Sequence, residues 1–414
     1  MKIVVMGGGV IGVTAAYYLA RDGHEVTVLD RQPQVANETS FANAGLIAPG
    51  HAYTWSSPKA PKILFRSLFR SDQALRLRLR ADPRMWAWLL MFLRNCTAKR
   101  ARINTIRKLR LCIYSQEALN ELVDTTGVAY DRGTGGALYL FRRQASFEAG
   151  AANSAILCDN GQPLEVLDRD QVGHLEPALA PVKDKLAGAV YSPTDESGDA
   201  HMFSCALANV CREQMGVEFA FETTISRIDV QRDRIVRIVT DKGDFTADSY
   251  VLSLGCDSAI LARRIGIRLP IYPVKGYSVT VPIPSGGLAP RIGGVDEDNL
   301  IGFARMGDRL RLASTAEISG YDRRHSPKDF RAVLRAAPDL FPTGGDYAHP
   351  QYWAGLRPMT PENTPLLGPT RYRNLILNTG HGHMGWTMAC GSARITADFI
   401  AGRQPELDLE GMTL

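Results

Sequence analysis

Paired cysteines are missing from this sequence of 414 residues. Its seven cysteines are odd in number, scattered, and form no Cys-x-x-Cys pair. Such spacing is typical of reduced thiols in the cytosol, and it excludes both a disulfide framework and a cysteine zinc site. We predict no metal site.

Long hydrophobic runs are also missing. The longest strongly apolar run covers nine residues, 85–93, and is flanked by Arg84 and Arg94. A membrane-spanning helix needs about 20 such residues, and residues 2–6 lead into a glycine loop instead of the cleavage site of a secretory signal. We therefore expect a cytoplasmic protein that does not cross a membrane.

Extremes of composition are absent as well, since 45% of the residues are hydrophobic and 22% are charged. These fractions are ordinary for a globular protein and exclude disordered, collagenous and coiled-coil chains. A single hydrophobic core stops growing at about 250–300 residues. The length therefore predicts two domains.

The start of the chain does contain a nucleotide-binding pattern. Residues 2–6 predict a strand, residues 10–21 a helix and residues 25–29 a second strand. A GxGxxG motif separates the first strand from the helix, and its glycines allow a tight turn and close approach of the backbone to a pyrophosphate. The residues expected at this turn are Gly7, Gly9, Val10, Ile11 and Gly12.

Asp30 ends the second strand, 18 residues after Gly12. A carboxylate at this place accepts hydrogen bonds from the ribose hydroxyls of an adenosine. Arg31 would suit the 2′-phosphate of NADP, but the adjacent Asp30 carboxylate would repel that phosphate, so we disfavour it. The pattern alone does not separate FAD from NAD.

Two kinds of segment alternate along the rest of the chain. Helices and β-branched strands typical of an α/β domain return near residue 147, whereas strands over 277–281 and 310–313 indicate an antiparallel sheet. The fold class is α/β, with a Rossmann-like nucleotide-binding domain and an interleaved α+β substrate domain. We assign residues 1–57, 147–265 and 352–414 to the first domain and residues 58–146 and 266–351 to the second.

Five further motifs follow the GxGxxG motif in order, and they are TSFANAG at 39–45, YVLSLG at 250–255, PVKGY at 273–277, GLRP at 355–358 and GHGHMGW at 380–386. Together they resemble the FAD-dependent D-amino acid dehydrogenases, members of the D-amino acid oxidase and glycine oxidase superfamily. The resemblance covers nearly the whole chain. It implies a Rossmann-like FAD-binding domain, with FAD extended and its adenosine at the first βαβ unit.

The resemblance also implies which residues contact FAD. Thr39, Ser40 and Asn43 would donate hydrogen bonds near the pyrophosphate and ribityl chain, although such residues also serve as loop caps. Ile225 would contact adenine through its backbone, and the glycine loop before the last helix would bring amides to the flavin. The other implied contacts are Arg31, Gly45, Leu46, Gly255, Gly382, His383, Gly385, Trp386 and Thr387.

For the substrate, the resemblance implies Arg357 as the carboxylate-binding residue, since a guanidinium pairs bidentately with an α-carboxylate. Tyr277 and Lys275 would form an aromatic wall and a polar head, and His383 and His51 would lie in loops near the flavin. Each has a structural alternative: a surface arginine, a core tyrosine or a structural histidine.

The implied reaction transfers the α-hydrogen of a D-amino acid to FAD as hydride, and water hydrolyses the imino acid to a 2-oxo acid and ammonia. The electrons would pass to a quinone or another acceptor. We interpret Asp195, Glu196 and Asp199 as a solvated loop. Two alternatives stay open: an oxidase of D-amino acids, glycine, sarcosine, D-proline or hydroxy-D-proline that uses oxygen, and a non-catalytic flavin carrier.

Residues 59–110 contain 15 Lys and Arg against two Asp, a charge of +13 in a chain whose net charge is +5. Apolar and aromatic residues interleave with these charges at helical spacing. We favour peripheral contact with anionic lipid on the inner face of the cell membrane over nucleic-acid binding. An arginine-rich face packed over the catalytic domain is the structural alternative. The aromatic residues are Phe65, Phe69, Trp86, Trp88 and Phe92.

Overall fold

The computed structural model describes residues 1–67 and 75–414. The strands are β1 (Lys2–Met6), β2 (Glu25–Leu29), β3 (Leu46–Ile47), β4 (Leu75–Leu77), β5 (Ala137–Phe141), β6 (Glu165–Asp168), β7 (Gly188–Ser192), β8 (Glu196–Ser197), β9 (Glu218–Ala220), β10 (Ile225–Gln231), β11 (Arg234–Thr240), β12 (Gly243–Phe245), β13 (Ser249–Leu252), β14 (Tyr272–Pro282), β15 (Gly293–Asp296), β16 (Ile301–Met306), β17 (Arg309–Ile318), β18 (Gln351–Met359), β19 (Leu366–Pro369) and β20 (Leu375–Thr379). The α-helices are α1 (Val10–Arg21), α2 (Ala60–Ser67), α3 (Pro83–Asn95), α4 (Ala98–Thr126), α5 (Gln144–Cys158), α6 (Arg169–Leu175), α7 (Ala200–Met215), α8 (Asp257–Arg264), α9 (Arg331–Leu340) and α10 (Gly385–Ile400).

Six strands form the first sheet, in the order β19-β20-β13-β1-β2-β9. β1 lies between β2 and β13 and is parallel to both. It is rich in β-branched residues because both faces of the sheet are covered. Helices α1, α4, α7 and α10 pack on one face, and α8 with the small sheet β10-β11-β12 packs on the other. The predicted βαβ unit is present with the expected bounds.

Nine strands form the second sheet, in the order β18-β14-β17-β16-β15-β5-β7-β6, with β4 also paired to β17. The long strands β14 and β17 are antiparallel. Helix α9 and the 3-10 segment Pro177–Lys185 pack on one face, and α2 and α3 pack against β14, β17 and β18. The expected combination of a Rossmann-like unit with an antiparallel sheet is confirmed.

The division of the chain into residue ranges stays a prediction. β6 and β7 fall within residues 147–265, which we assigned to the nucleotide-binding domain, yet both pair in the second sheet. The GLRP motif at 355–358 lies inside β18, which pairs with β14. β18 is an edge strand, so it tolerates Pro358, which has no N–H to donate.

The basic stretch 59–110 folds as α2, β4, α3 and the start of α4. Pro83 is the first residue of α3, where a missing N–H is harmless. The stretch divides into a buried and an exposed set, since Trp88, Phe92 and Lys108 are buried whereas Phe65 and Trp86 are exposed. Phe69 lies outside the described residues. No described helix has both the length and the apolar character needed to span a membrane.

Candidate active site

A cavity of about 1740 Å³ lies between the two sheets and contains most of the residues that the motifs single out. Its walls come from the β1–α1 turn, the loops after β2 and β13, strands β14, β17 and β18, and the turn before α10. Gly12 and Lys275 are the predicted site residues that do not line it.

The turn between β1 and α1 forms one end of the cavity. Gly7 has a φ of +108°, and a Cβ at Gly12 would collide with the Gly7 carbonyl oxygen. The first turn of α1 has no acidic side chain, and the Val10 N–H donates to Ser40 Oγ at 3.1 Å. Amides at a helix N-terminus attract negative charge, so this end suits a pyrophosphate.

Asp30 lines the same end and also holds the turn together. Its Oδ2 accepts from the Gly8 N–H at 2.6 Å, and its Oδ1 accepts from the Gln32 N–H at 2.8 Å. Burial raises the pKa of Asp30, although both backbone donors lower it. Each carboxylate oxygen has a second lone pair, which suits a ribose hydroxyl. Ile225 and Gly255 are close neighbours in this wall.

Arg31 belongs to a ring of four charges. Its Nη2 lies 2.9 Å from Glu38 Oε1 and 2.8 Å from Asp257 Oδ2. Arg323 completes the ring, 2.9 Å from Glu38 Oε2 and 3.6 Å from Asp257 Oδ2. All four residues, which we call the charge ring, line the cavity. Because Arg323 follows β17 and Asp257 begins α8, the ring joins the two sheet units.

The loop 39–45 is fastened by its own polar side chains. Thr39 Oγ1 donates to the Leu356 carbonyl at 2.9 Å, and Asn43 Oδ1 accepts from the Gly45 N–H at 2.9 Å. Gly45 has a φ of +73°. The same residues line the cavity, together with Leu46. Thr39 and Asn43 therefore hold the loop in place and also face the space where a ligand would lie.

The turn before α10 contributes a histidine without a hydrogen-bond partner. His383 Nε2 is buried and unpaired among the described residues, and its ring stacks on Trp55 with 4.6 Å between centroids. Burial, reinforced by the nearby positive charge of Lys108, holds the pKa of His383 well below its usual value. Gly382, Gly385, Trp386 and Thr387 line the cavity beside it.

Three adjacent strands position Arg357. It lies on β18, and its guanidinium passes over Gly276 of β14, where a Cβ would approach it within 3 Å. Its Nη1 donates to the Thr315 carbonyl of β17 at 3.2 Å. Thr315 lies at a register shift between β14 and β17 and has a φ of +57°. Such strain in a β-branched residue is typical of functional sites.

Arg357 carries a charge that no described carboxylate neutralises. Burial lowers its pKa to about 10, so the guanidinium stays protonated at neutral pH. Trp55 lies beneath it, with the ring centroid 5.8 Å from Cζ. A desolvated guanidinium with a single carbonyl acceptor is unfavourable until an anion completes its hydrogen bonds. The arrangement suits a carboxylate ligand.

Tyr277 and Lys275, the two predicted site residues on β14, have partners outside the Arg357 site. The buried Tyr277 ring packs edge-on against Phe330 with 5.5 Å between centroids, and the residue also lines the cavity. Lys275 Nζ donates to the Arg324 carbonyl at 2.9 Å and lies 4.0 Å from Glu317. Lys275 therefore has partners elsewhere, and we leave it out of the proposed active site.

His51 lines the cavity and is held by an acid. Its Nε2 lies 2.7 Å from Glu297 Oε1, and its ring stacks on Tyr139 with 5.0 Å between centroids. Glu297 also lines the cavity. Behind this pair, Asp195 accepts from the Gly50 N–H at 2.9 Å and from the Tyr139 hydroxyl.

The interpretation of Asp195, Glu196 and Asp199 as a solvated loop is wrong. Their exposed fractions are 0%, 6% and 5%. Glu196 pairs with Arg132 at 2.6 Å, and Asp199 caps the start of α7. Burial raises the pKa of Asp195 to about 6. Acidic residues close together in sequence look solvated until long-range partners, here Tyr139 and Gly50, are known.

Comparison with known proteins settles the family. The family model described as FAD dependent oxidoreductase, abbreviated DAO, matches residues 2–399. The chain belongs to this family. It is 50% identical over 412 residues to D-amino acid dehydrogenase 2 of Mesorhizobium japonicum, covering 100% of this chain and 99% of the relative. It is 48% identical to D-amino acid dehydrogenase of Paramagnetospirillum magneticum, covering 100% and 98%.

The fold of this DAO family member matches a solved flavoenzyme. Glycine oxidase from Geobacillus kaustophilus superposes with a TM-score of 0.76 at 23% identity, covering 100% of this chain and 98% of the other. The resemblance drawn from the ordered motifs is confirmed, and so is FAD as the cofactor of the family.

The residues of the cavity fit FAD. The glycine turn and the start of α1 suit the pyrophosphate, Asp30 suits the ribose, and the buried polar atoms of His383 and Asn378 have no described partner within the cavity wall. Unpaired buried polar groups are rare, and a bound cofactor would supply partners for these atoms.

Sequence reasoning missed Trp55, Tyr139, Glu297 and Thr315. None belongs to a recognised motif, and they lie in four separate segments. The nearest signal is the position of Trp55, four residues after His51. Glu297 carries no local signal, because its pairing with His51 spans 246 residues.

Proposed function

We propose that this chain is an FAD-dependent D-amino acid dehydrogenase that converts D-amino acids to 2-oxo acids and ammonia. Relatives that share about half of its residues over nearly their full length bear that name. The observation that carries the proposal is Arg357, a protonated guanidinium in the cavity whose described hydrogen bond goes to a carbonyl. An α-carboxylate would supply the missing acceptors.

FAD, when bound, supplies the two-electron acceptor for the α-hydrogen. The residues proposed to hold it are those of the β1–α1 turn, Asp30, the loop 39–45, Ile225, Gly255 and the turn before α10. Arg357 fixes the substrate by its carboxylate and thereby fixes the direction of the Cα–H bond. Trp55 and Tyr277 wall the site and exclude water. Positioning of this kind supplies most of the rate, since no side-chain nucleophile is required.

The test is anaerobic. The purified yellow protein is mixed with D-alanine, D-proline or hydroxy-D-proline, with their L-enantiomers, and with glycine, while the visible flavin band is followed. We expect bleaching by D-substrates alone. Bleaching by none of them, with flavin still bound, would contradict the proposal and favour a non-catalytic flavin carrier.

The electron acceptor is proposed to be a quinone or another acceptor instead of oxygen. Turnover in air distinguishes the two alternatives, because an oxidase releases one peroxide for each 2-oxo acid. A dehydrogenase yields little peroxide and accelerates when a soluble quinone analogue is added. Equal peroxide and product would favour the oxidase.

We further propose that the face of α2 and α3 contacts anionic lipid from the cytoplasmic side. Apolar side chains are exposed there among lysines and arginines, and amphipathic helices of this composition lie in membrane interfaces. Lys108 does not contribute, because it is buried and donates to the Tyr53 carbonyl. The exposed apolar residues are Ile63, Phe65, Trp86, Leu90 and Leu93.

Vesicle sedimentation tests this surface. The variant Lys62→Glu with Arg66→Glu should bind anionic vesicles at least about 30-fold more weakly than the unchanged protein, since it loses two basic residues that contribute about 1 kcal/mol each near such a surface. The matched control is Arg263→Glu with Lys328→Glu, which reverses two exposed charges outside the segment. Equal loss in both variants, or no binding by the unchanged protein, would contradict the proposal.

A further inference from the structure

Oxidation of an amino acid by hydride loss requires a neutral amine, whereas the substrate carries an ammonium group at neutral pH. The nitrogen lone pair must be free when the Cα–H bond breaks. A proton therefore has to leave the ammonium inside the cavity, and a positioned side chain accelerates such a transfer.

Several titratable groups in or around the cavity are unsuited to accept this proton. Burial and surrounding positive charges keep His383 neutral, as its lowered pKa shows. Lys275 and Asp195 do not line the cavity. Asp298 lines it, but its carboxylate is occupied by the Arg143 side chain and two backbone N–H groups.

His51 differs from these groups because it lines the cavity and a carboxylate contacts one of its ring nitrogens. Glu297 Oε1 lies 2.7 Å from His51 Nε2, which leaves Nδ1 as the second ring nitrogen. The His51 side chain is 26% exposed and that of Glu297 is 20% exposed, and both residues line the cavity. The hydrogen bond to a carboxylate fixes the orientation of an imidazole ring and decides which ring nitrogen is free to accept a proton.

His51 and Arg357 share a neighbour, His383, and aromatic rings pack against His51. His383 stacks on Trp55, over which Arg357 lies, and His383 experiences the charges of both His51 and Arg357. The ionisable groups facing His51 are Glu297 after β15, Tyr139 of β5, Tyr53 of its own loop, Asp195 before β8 and His383 before α10.

We infer that His51 accepts the proton of the substrate ammonium and that Glu297 positions His51 and stabilises its imidazolium form. The N–H bond of the ammonium breaks, its electron pair stays on the amine nitrogen, and an N–H bond forms on the imidazole. The imidazolium later releases this proton to water. This inference rests on the proposed function, names Glu297 as a positioning residue, and assigns His51 the catalytic contact.

The test is the pH dependence of flavin reduction by a saturating D-substrate, measured anaerobically by rapid mixing. For Glu297→Gln, we expect flavin reduction at pH 7 to slow about tenfold, because the imidazole loses the carboxylate that orients it and balances its charge when it takes up the proton. The two rates should converge near pH 10, where the substrate loses its proton without help. Glu297→Asp keeps the carboxylate, so its rate at pH 7 should lie between the rates of the unchanged protein and Glu297→Gln.

Asp298→Asn is the matched control, since it removes the neighbouring negative charge without touching His51. Its pH profile should stay that of the unchanged protein. A Glu297→Gln rate that is lowered equally at every pH, or not lowered, would overturn the inference. If Glu297→Gln fails to retain FAD, the same measurement is made on Glu297→Asp and His51→Gln. The inference then requires that their loss of rate be larger at pH 7 than near pH 10. Failure of the unchanged protein to be reduced by any D-amino acid would instead contradict the proposed function.

Discussion

The two ends of the cavity are built in different ways. The nucleotide end consists mainly of backbone from one contiguous stretch, β1 to Asp30, in which glycines and the start of α1 are proposed to bind the pyrophosphate. The substrate end consists of side chains from distant segments, including His51, Glu297 and Arg357. A backbone site can be recognised from spacing, whereas a side-chain site depends on the tertiary fold.

Arg357→Met should break the substrate end and leave the nucleotide end intact. Loss of a desolvated bidentate ion pair costs about 4 kcal/mol, so the second-order rate of flavin reduction should fall about 1000-fold while FAD content stays unchanged. Arg357→Lys, which keeps the charge and loses the fork, should lie between the two proteins. Loss of FAD from Arg357→Met would show that the two ends are not separable.

Asp195 lies behind His51 at the substrate end, and its ionisation should make the free energy of unfolding depend on pH. Its folded pKa of about 6 lies above the usual value of 3.8, so the folded state binds the proton more tightly. The free energy of unfolding attributable to Asp195 is therefore highest below pH 4. It decreases as pH rises from about 4 to 6, by about 3 kcal/mol in total.

Asp195→Asn removes this titration, so its stability relative to the unchanged protein should increase across that window and level off above pH 6. Chemical denaturation at several pH values measures the difference. A difference independent of pH would show that Asp195 is ionised at no net cost in the folded protein.

The residues of the two ends could not be predicted equally well from the sequence. The βαβ unit, its GxGxxG motif and Asp30 were predictable because their signals are local and the strand and helix periods are clear. The place of Arg357 in the cavity was predictable through the family resemblance carried by its GLRP motif. Glu297, Trp55 and the buried state of Asp195 were not, because each depends on a contact across a long stretch of chain.

Gly12→Ala should break the nucleotide end and leave the carboxylate contact of Arg357 in place. A Cβ would overlap the Gly7 carbonyl oxygen, so α1 must shift away from β1. We expect the dissociation constant for FAD to rise about 100-fold, about 2.7 kcal/mol. Titration of the apoprotein with FAD measures it. Gly135→Ala, whose Cβ meets only Ile292 at 3.4 Å, should bind FAD normally.

A change in the charge ring should have the smallest effect of these variants. The ring joins the two sheet units beside the nucleotide end. Glu38→Gln weakens two of its ion pairs, with Arg31 and Arg323, while Asp257 still holds both arginines. The ring is partly exposed, so the expected effect is below about 1 kcal/mol. FAD release should accelerate two- to fivefold at low salt, and the two proteins should converge at high salt. Unchanged release at low salt would mean that the ring fastens the protein without restraining the nucleotide.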